Sequence, residues 1–410
     1  MYDFLSPCRQ LHFLCSVKVL MLHQHFKTPA GGGAIRSYYL AKALASSGLE
    51  VVVITGHDQP YKKVNVEGIE VHYLSVPYNN SFGFLKRSIS FLRFVFKSVA
   101  KAAQFKDAKL CYAISVPLTV GLAARWIKKR YKIPYIFEVG DLWPDAPVQM
   151  GFVNSYFFKK LLYKLEYTTY REAISIVALS PAIQSAIEQK IPGKKIDMIP
   201  NMADTEFFTK TGKNTALEQK YNVSGKFVVS YIGAIGVANG LDYVVECART
   251  SRKAGLPIQF IICGEGALKE SLLNKIKRLD LENITLMDFT NRNGVSEVLN
   301  ITDAALISYK PVSVLETGSP NKFFDALAAG KLVVINFGGW IKNEIEENTC
   351  GFYADPNQPA DLIKKLKPFL GDRLLLENYQ FNARSLAERK YSRKELSAHF
   401  INIVTEAVPS

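Results

Sequence analysis

Ile258-Gln-Phe-Ile-Ile-Cys263-Gly264-Glu265-Gly266 is the stretch on which the fold turns. A short apolar run closed by a glycine turn is the pattern of a strand covered on both faces. The same grammar stands upstream in Phe227-Val-Val-Ser-Tyr-Ile232, closed by Gly233-Ala-Ile-Gly236, and downstream at Ile284–Met287, Ala304–Ser308 and Leu332–Ile335. The N-terminal half repeats it at Val17–Leu22, Glu50–Ile54, Leu110–Ile114, Tyr135–Val139, Ile174–Leu179 and Ile196–Ile199. Helical patterns such as Ala34–Ser47 and Asn321–Ala329 lie between. Strands alternating with helices of this length predict parallel βαβ units. Two such runs predict two Rossmann-like α/β domains whose parallel sheets face each other across a cleft, with ligands outside the carboxyl ends of the strands. The expected division is 1–205, 206–386 and a pair of C-terminal helices over 387–410.

At 410 residues the chain exceeds the size at which single cores divide. Its hydrophobic fraction of 48% suits packed cores and excludes a disordered class. No apolar run approaches the roughly 18–20 residues that span a bilayer. The first residues, broken by Pro7, Arg9, His12 and Lys18, lack a basic leader and a cleavage site, so they read as a short extension into the first strand. The six cysteines (8, 15, 111, 247, 263 and 350) have no metal-ligand spacing and read as reduced core residues of a cytoplasmic protein. A net charge of +14 favours anionic partners. With no nucleic-acid-binding signature beside it, phosphorylated substrates and an anionic membrane surface are the better fit, and nucleic acid is not expected.

Three segments carry candidate chemistry. Gly31, Gly32 and Gly33 follow the first strand and open a helix, where bare backbone and free N–H groups suit an anion, with Arg36 one turn in; the other reading is a flexible turn. Glu138 and Asp141, in Phe137-Glu-Val-Gly140-Asp141-Leu-Trp-Pro144, follow another strand and suit the orientation of an acceptor hydroxyl, unless Asp141 only caps the next helix. In Gly318-Ser-Pro-Asn-Lys-Phe-Phe-Asp325, Ser319 reads as an N-cap and Pro320 as the first helical residue. That helix start, with Asn321 and Lys322, offers amides, dipole and charge to a diphosphate. Asp325, four residues beyond Asn321, lies one turn deeper, near an attached ribose. Gly233, Gly236, Gly264 and Gly266 place ligand-permissive backbone at two adjacent strand ends.

Taken in order, these segments resemble the GT-B glycosyltransferases of family 4, especially WbuB-like and colanic-acid-type bacterial enzymes. The resemblance also rests on Ser115-Val-Pro-Leu-Thr119 and on Ile199-Pro-Asn201 with Asp204 and Phe207. It implies retaining transfer, independent of metal and cofactor, from a nucleotide-sugar, commonly a UDP-sugar, held by the C-terminal domain. The acceptor, lipid-linked or a growing saccharide, is implied on the N-terminal domain, onto which the terminal helix crosses back. The implied setting is surface polysaccharide synthesis, peripheral on the inner leaflet. Departures accompany the likeness. Asp325 matches the second acid of the family's E-x7-E pair, while the first falls on Thr317 with Glu316 one residue away. Ala234 and Asn239 stand where many members carry Arg and Lys, and Gly140 where a histidine is common.

The resemblance therefore assigns catalysis to Asp141, Lys322 and Glu316. The rival readings are a silent nucleotide-sugar-binding scaffold and a sugar-nucleotide epimerase of the same fold. A last segment, Phe84 to Lys101, mixes aromatics with five basic residues at helical spacing. It reads either as an apolar face with a cationic rim for an anionic membrane or as a core helix with a solvated basic side.

Overall fold

The computed structural model describes residues 17–29, 35–79 and 82–409. The loop holding Gly31, Gly32 and Gly33 and the N-terminal extension with Cys8 and Cys15 lie outside the described residues. The chain divides into two units, one formed by residues up to Pro200 together with those from Lys394 on, the other by Asn201–Arg393.

The first unit is built on eight strands: β1 Lys18–Leu22, β2 Glu50–His57, β3 Lys62–Val66, β4 Ile69–Ser75, β5 Leu110–Ile114, β6 Tyr135–Val139, β7 Ser175–Ala178 and β8 Ile196–Met198. Their order is β3-β4-β2-β1-β5-β6-β7-β8. All neighbours run parallel except β3 against β4. The sequence reading did not anticipate that hairpin. Its turn is Glu67-Gly68, with φ of 52° and 86°, the pair of positive angles that suits a two-residue hairpin. β3 is mostly exposed and carries Lys62 and Lys63, as an edge strand does to discourage pairing with another chain. In the interior strands β5 and β6 every residue is buried.

The second unit holds six parallel strands: β9 Phe227–Ile232, β10 Ile258–Cys263, β11 Ile284–Met287, β12 Ala304–Ile307, β13 Leu332–Ile335 and β14 Gly351–Tyr353, in the order β11-β10-β9-β12-β13-β14. Alternate residues serve opposite faces. Phe260 and Ile262 join one apolar cluster and Ile261 another, so helices cover both sides. Residues just past Pro200 are held to this unit by backbone bonds, Ala203 N to Tyr391 O at 2.8 Å and Arg393 N to Ala203 O at 3.2 Å. The guanidinium of Arg384, on the helix Arg373–Lys390, donates to the carbonyls of Thr205, Phe208 and Ala328. The last helix, Arg393–Ala407, lays Phe400 against Tyr112 of the first unit's sheet, with ring centroids 4.8 Å apart.

Cys111, Cys247, Cys263 and Cys350 are buried free thiols. Among the described residues no helix is long and apolar enough to cross a membrane.

Candidate active site

In the second unit the chain proceeds from β9 to β10 and β11 on one side, then returns to β12 and moves the other way. The gap between β9 and β12 is a topological switch point, where open α/β sheets bind ligands. Lys322 reaches into it from the helix Asn321–Ala328. Its Nζ donates to Tyr231 Oη at 2.8 Å and stands 4.2 and 5.1 Å from the ring centroids of Tyr231 and Tyr309. Tyr231 Oη in turn donates to Ala234 O at 2.7 Å. No carboxylate among the described residues pairs with this ammonium. Some solvent reaches it, but the dense protein around it lowers its pKa to about 7. A side-chain carbon at Gly233 would come within 3.4 Å of Nζ, so the bare backbone there leaves the approach to Lys322 open.

One turn along, the Asp325 carboxylate has neither a hydrogen-bond donor nor a basic ion-pair partner among the described residues. Burial pushes its pKa up to about 7, with Arg292 pulling it down and Asp204 adding to the rise. Asn321 is exposed on the first turn.

Ser319 has a different duty from the expected one. The N-cap position belongs to Pro320, and no side chain caps the helix. Ser319 Oγ accepts instead from Asn201 N at 3.2 Å, and Ser319 O accepts from Asn201 Nδ2. The serine ties the helix start to the segment after β8, and the first amides of the helix are left without a side-chain acceptor.

Glu316 lies in a 3-10 turn, Ser313–Thr317. Its Oε1 accepts from Gly338 N at 3.2 Å. Gly339, at φ 84°, passes so close that an added Cβ would sit 2.6 Å from Glu316 O. Trp340 Nε1 donates to Gly318 O at 2.8 Å, fastening the same two loops together. Thr317 Oγ1 closes its own turn on Val314 O at 2.8 Å.

The glycines of the two turns divide by duty. An added Cβ at Gly264 would lie 1.8 Å from Gly233 O, and one at Gly266 would lie 2.3 Å from Ile235 O. These two are glycines because one turn's backbone rests on the other's, a packing need rather than the ligand approach expected for them. Gly236 N donates to Asn239 Oδ1 at 3.3 Å. Asn239 thus folds its own turn, and Lys322 brings a cation to the switch point.

In the first unit, Arg36 is no free charge for an anion. Nε and Nη2 donate to the two oxygens of Glu138 at 3.0 and 3.1 Å, and further bonds reach the carbonyls of Ile199 and Pro200. Tyr112 Oη also donates to Glu138. The Glu138 side chain is 1% exposed, so it is a buried counter-ion and not a group held for an acceptor. Asp141, just past β6, is exposed, and Gly140 N donates to Ser115 Oγ at 3.2 Å.

The sequence reading missed His23 and His25, directly after β1. His23 Nδ1 lies 2.8 Å from Ser37 Oγ, and the His25 ring lies 4.4 Å from that of Tyr78. Burial lowers them to about 3 and about 4, with Lys27 adding to the fall at His25, so both are neutral near pH 7. Polar side chains directly after the apolar run Val19-Leu-Met-Leu22 were the available signal. Among the described residues no cluster of His, Cys, Asp and Glu is placed to hold a metal ion.

Comparison with known proteins bears on both units. A family model described as a glycosyl transferase 4-like domain matches residues 31–202, and one described as glycosyl transferases group 1 matches residues 213–386. The alpha-D-kanosaminyltransferase of Streptomyces kanamyceticus is 20% identical over 229 residues, 54% of this chain and 58% of that protein. WcaI of Escherichia coli K12, a glycosyl transferase named for colanic acid biosynthesis, is 24% identical over 54% of each chain. The chain thus spans little more than half the length of these curated relatives. Among solved structures, Anabaena HepE in complex with UDP-glucose superposes with a TM-score of 0.71 at 18% identity, covering 95% of this chain and 99% of that one.

Proposed function

Since the chain belongs to the glycosyltransferases, with a 4-like domain followed by a group 1 domain on the GT-B fold, we propose that it transfers a hexosyl or N-acetylhexosaminyl group from a UDP-sugar with retention of configuration. The observation that carries this reading is Lys322, an ammonium without a counter-ion at the switch point of the second sheet, beside bare backbone at Gly233 and the uncapped start of its own helix. A diphosphate supplies the negative charge that this arrangement lacks. HepE, on the same fold, was solved in complex with UDP-glucose, which supports a uridine donor.

Within this reading the Asp325 carboxylate accepts from the ribose hydroxyls, and Glu316 contacts the donor sugar. As the bond between sugar and diphosphate breaks, Lys322 and the helix amides stabilise the charge gathering on the leaving group. The leaving phosphate oxygen takes the proton of the incoming hydroxyl on the same face of the sugar, so no separate protein base and no metal ion is required. The first unit would hold the acceptor, with Asp141 orienting its hydroxyl. A lipid-linked or growing saccharide at the inner face of the cytoplasmic membrane, in surface polysaccharide synthesis, fits the net charge of +14 and the likeness to a colanic-acid enzyme.

Thermal shift against a panel of nucleotide-sugars tests the donor, because a ligand selective for the native state raises apparent stability. A UDP-sugar is expected to give the largest rise, and no rise with any nucleotide-sugar would defeat the reading. Nuclear magnetic resonance of the product then reads the anomeric configuration. An inverted linkage would refute retention, and release of an epimerised sugar without an acceptor would favour the epimerase.

A further inference from the structure

Three helices of the first unit lie on one face of its sheet: Phe84–Ala102, Thr119–Tyr131 and Tyr156–Glu172. They join β4 to β5, β5 to β6 and β6 to β7, and each of these steps moves the same way along the sheet. Right-handed crossovers therefore place all three on the same side. Side-chain contacts tie them in a row. The rings of Phe96 and Trp126 meet edge to face at 5.6 Å, and Arg125 makes a two-pronged pair with Glu172 at 3.1 and 2.8 Å.

The outer surface of this row is apolar where a solvated surface would be polar. On the first helix Phe94, Val95 and Val99 face the core, while Leu85, Ile89, Leu92 and Phe96 are exposed. Their spacing of four, three and four residues makes a second apolar stripe pointing away from the protein. The alternative of a core helix with a simply solvated basic side does not fit that stripe. Trp126 is exposed on the middle helix, and on the third Tyr156 is 72% and Phe157 83% exposed, with Leu161 one turn on. Basic side chains flank each group: Lys86 and Arg93, Lys129 and Arg130, Lys160 and Lys164. The three helices carry thirteen lysines and arginines against two acids, and both acids are engaged, Glu166 with Lys190 and Glu172 with Arg125.

We propose that this three-helix face docks on an anionic lipid bilayer, with the aromatic and aliphatic side chains entering the interface and the lysines and arginines meeting the headgroups. Aromatic residues suit the headgroup boundary, and a cationic rim suits acidic lipid. A second copy of the chain is the poorer occupant, because pairing the face with itself would set two uncompensated basic rims together. The proposal rests on the glycosyltransferase reading only for its purpose, which is to bring the first unit to a lipid-linked acceptor.

Sedimentation of the full chain with phosphatidylcholine vesicles, with and without phosphatidylglycerol, tests it. Binding should be roughly tenfold stronger with the acidic lipid and should weaken as salt is added. The double substitution Phe96→Glu with Phe157→Glu should abolish binding while a nucleotide still raises the thermal midpoint, as evidence of a folded chain. Should that variant fail to fold, Lys129→Gln with Lys160→Gln and Lys164→Gln should reduce the preference for acidic lipid. Equal binding to neutral vesicles, or binding indifferent to both sets of substitutions, would overturn the proposal. So would a lipid-free dimer that the glutamates dissolve, which assigns the face to a second copy. Assay with a short water-soluble acceptor separates the two readings. A folded double variant that still transfers sugar but ignores vesicles is the expected result. A wild type that binds vesicles yet transfers nothing would sink the enzymatic reading alone.

Discussion

Each unit places a basic residue near the start of a helix, and an acid within reach of the same sheet, but the two units treat their charges in opposite ways. Arg36 and Glu138 in the first unit neutralise each other in the interior, with Tyr112 and two backbone carbonyls completing the set. Lys322 and Asp325 in the second unit have no ionic partner among the described residues, and burial moves each toward its neutral form. A satisfied pair holds a structure together, whereas charges kept apart without partners await something from outside. The contrast separates a structural charge from a functional one more sharply than residue type does.

The largest effect should come from breaking the satisfied pair. Arg36→Ala leaves Glu138 buried with only a tyrosine for company, and urea denaturation should show a loss of about 3–5 kcal/mol. Stability close to wild type would mean that the contrast has been misdrawn. Lys322→Ala should not destabilise the fold, since it removes an ammonium that burial disfavours. Transfer, measured under saturating donor, should slow by the equivalent of about 2.7–4 kcal/mol of barrier. Near-normal turnover would remove Lys322 from the diphosphate site. Asp325→Ala should weaken UDP binding about tenfold, near 1.4 kcal/mol, by calorimetry. Unchanged affinity would refute the ribose contact.

Per pH unit, the smallest effects are those of titration, at most about 1.4 kcal/mol for each group. Lys322 falls from 10.5 to about 7 on folding, so between those values the unfolded chain binds more protons, and its contribution to stability rises with pH. Asp325 climbs from 3.8 to about 7, so the folded chain binds more protons in that window, and its contribution falls as pH rises. In the unliganded protein the two together should produce a dip in thermal midpoint near pH 7. Lys322→Met should flatten the upper arm and Asp325→Asn the lower. UDP binding at pH 8 should also draw a proton onto Lys322, detectable by calorimetry in buffers of different ionisation enthalpy. Proton release would contradict it.

The central strands were legible because apolar runs such as Phe227–Ile232 and Ile258–Cys263 leave little else to propose, and the structure places strands on those same residues. β4 was missed although largely buried, because Glu70 and His72 interrupt its apolar run. β3 escaped because Lys62, Lys63 and Asn65 are those of a solvated edge, and Glu67-Gly68 is not among the commonest turn pairs. Within the candidate site, Asn321, Lys322 and Asp325 could be related to one another through helical periodicity alone. Arg36 could not, since Glu138 lies 102 positions away and nothing local announces the pairing. Gly264 and Gly266 invited a ligand reading for the same reason, because the backbone they accommodate belongs to a turn some thirty residues earlier.

The return of the last helix to the first sheet bears on how the protein is made. The second unit is one continuous stretch, Asn201–Arg393, and can fold as it leaves the ribosome. The first cannot be completed in the order of its synthesis, because Phe400, which covers Tyr112, is translated after the whole of the second unit. At about 5–20 residues per second that wait lasts on the order of 10–40 s. Throughout it the tyrosine that donates to Glu138 lacks its partner ring, and the nascent first half keeps an unfinished surface while the second half is being made.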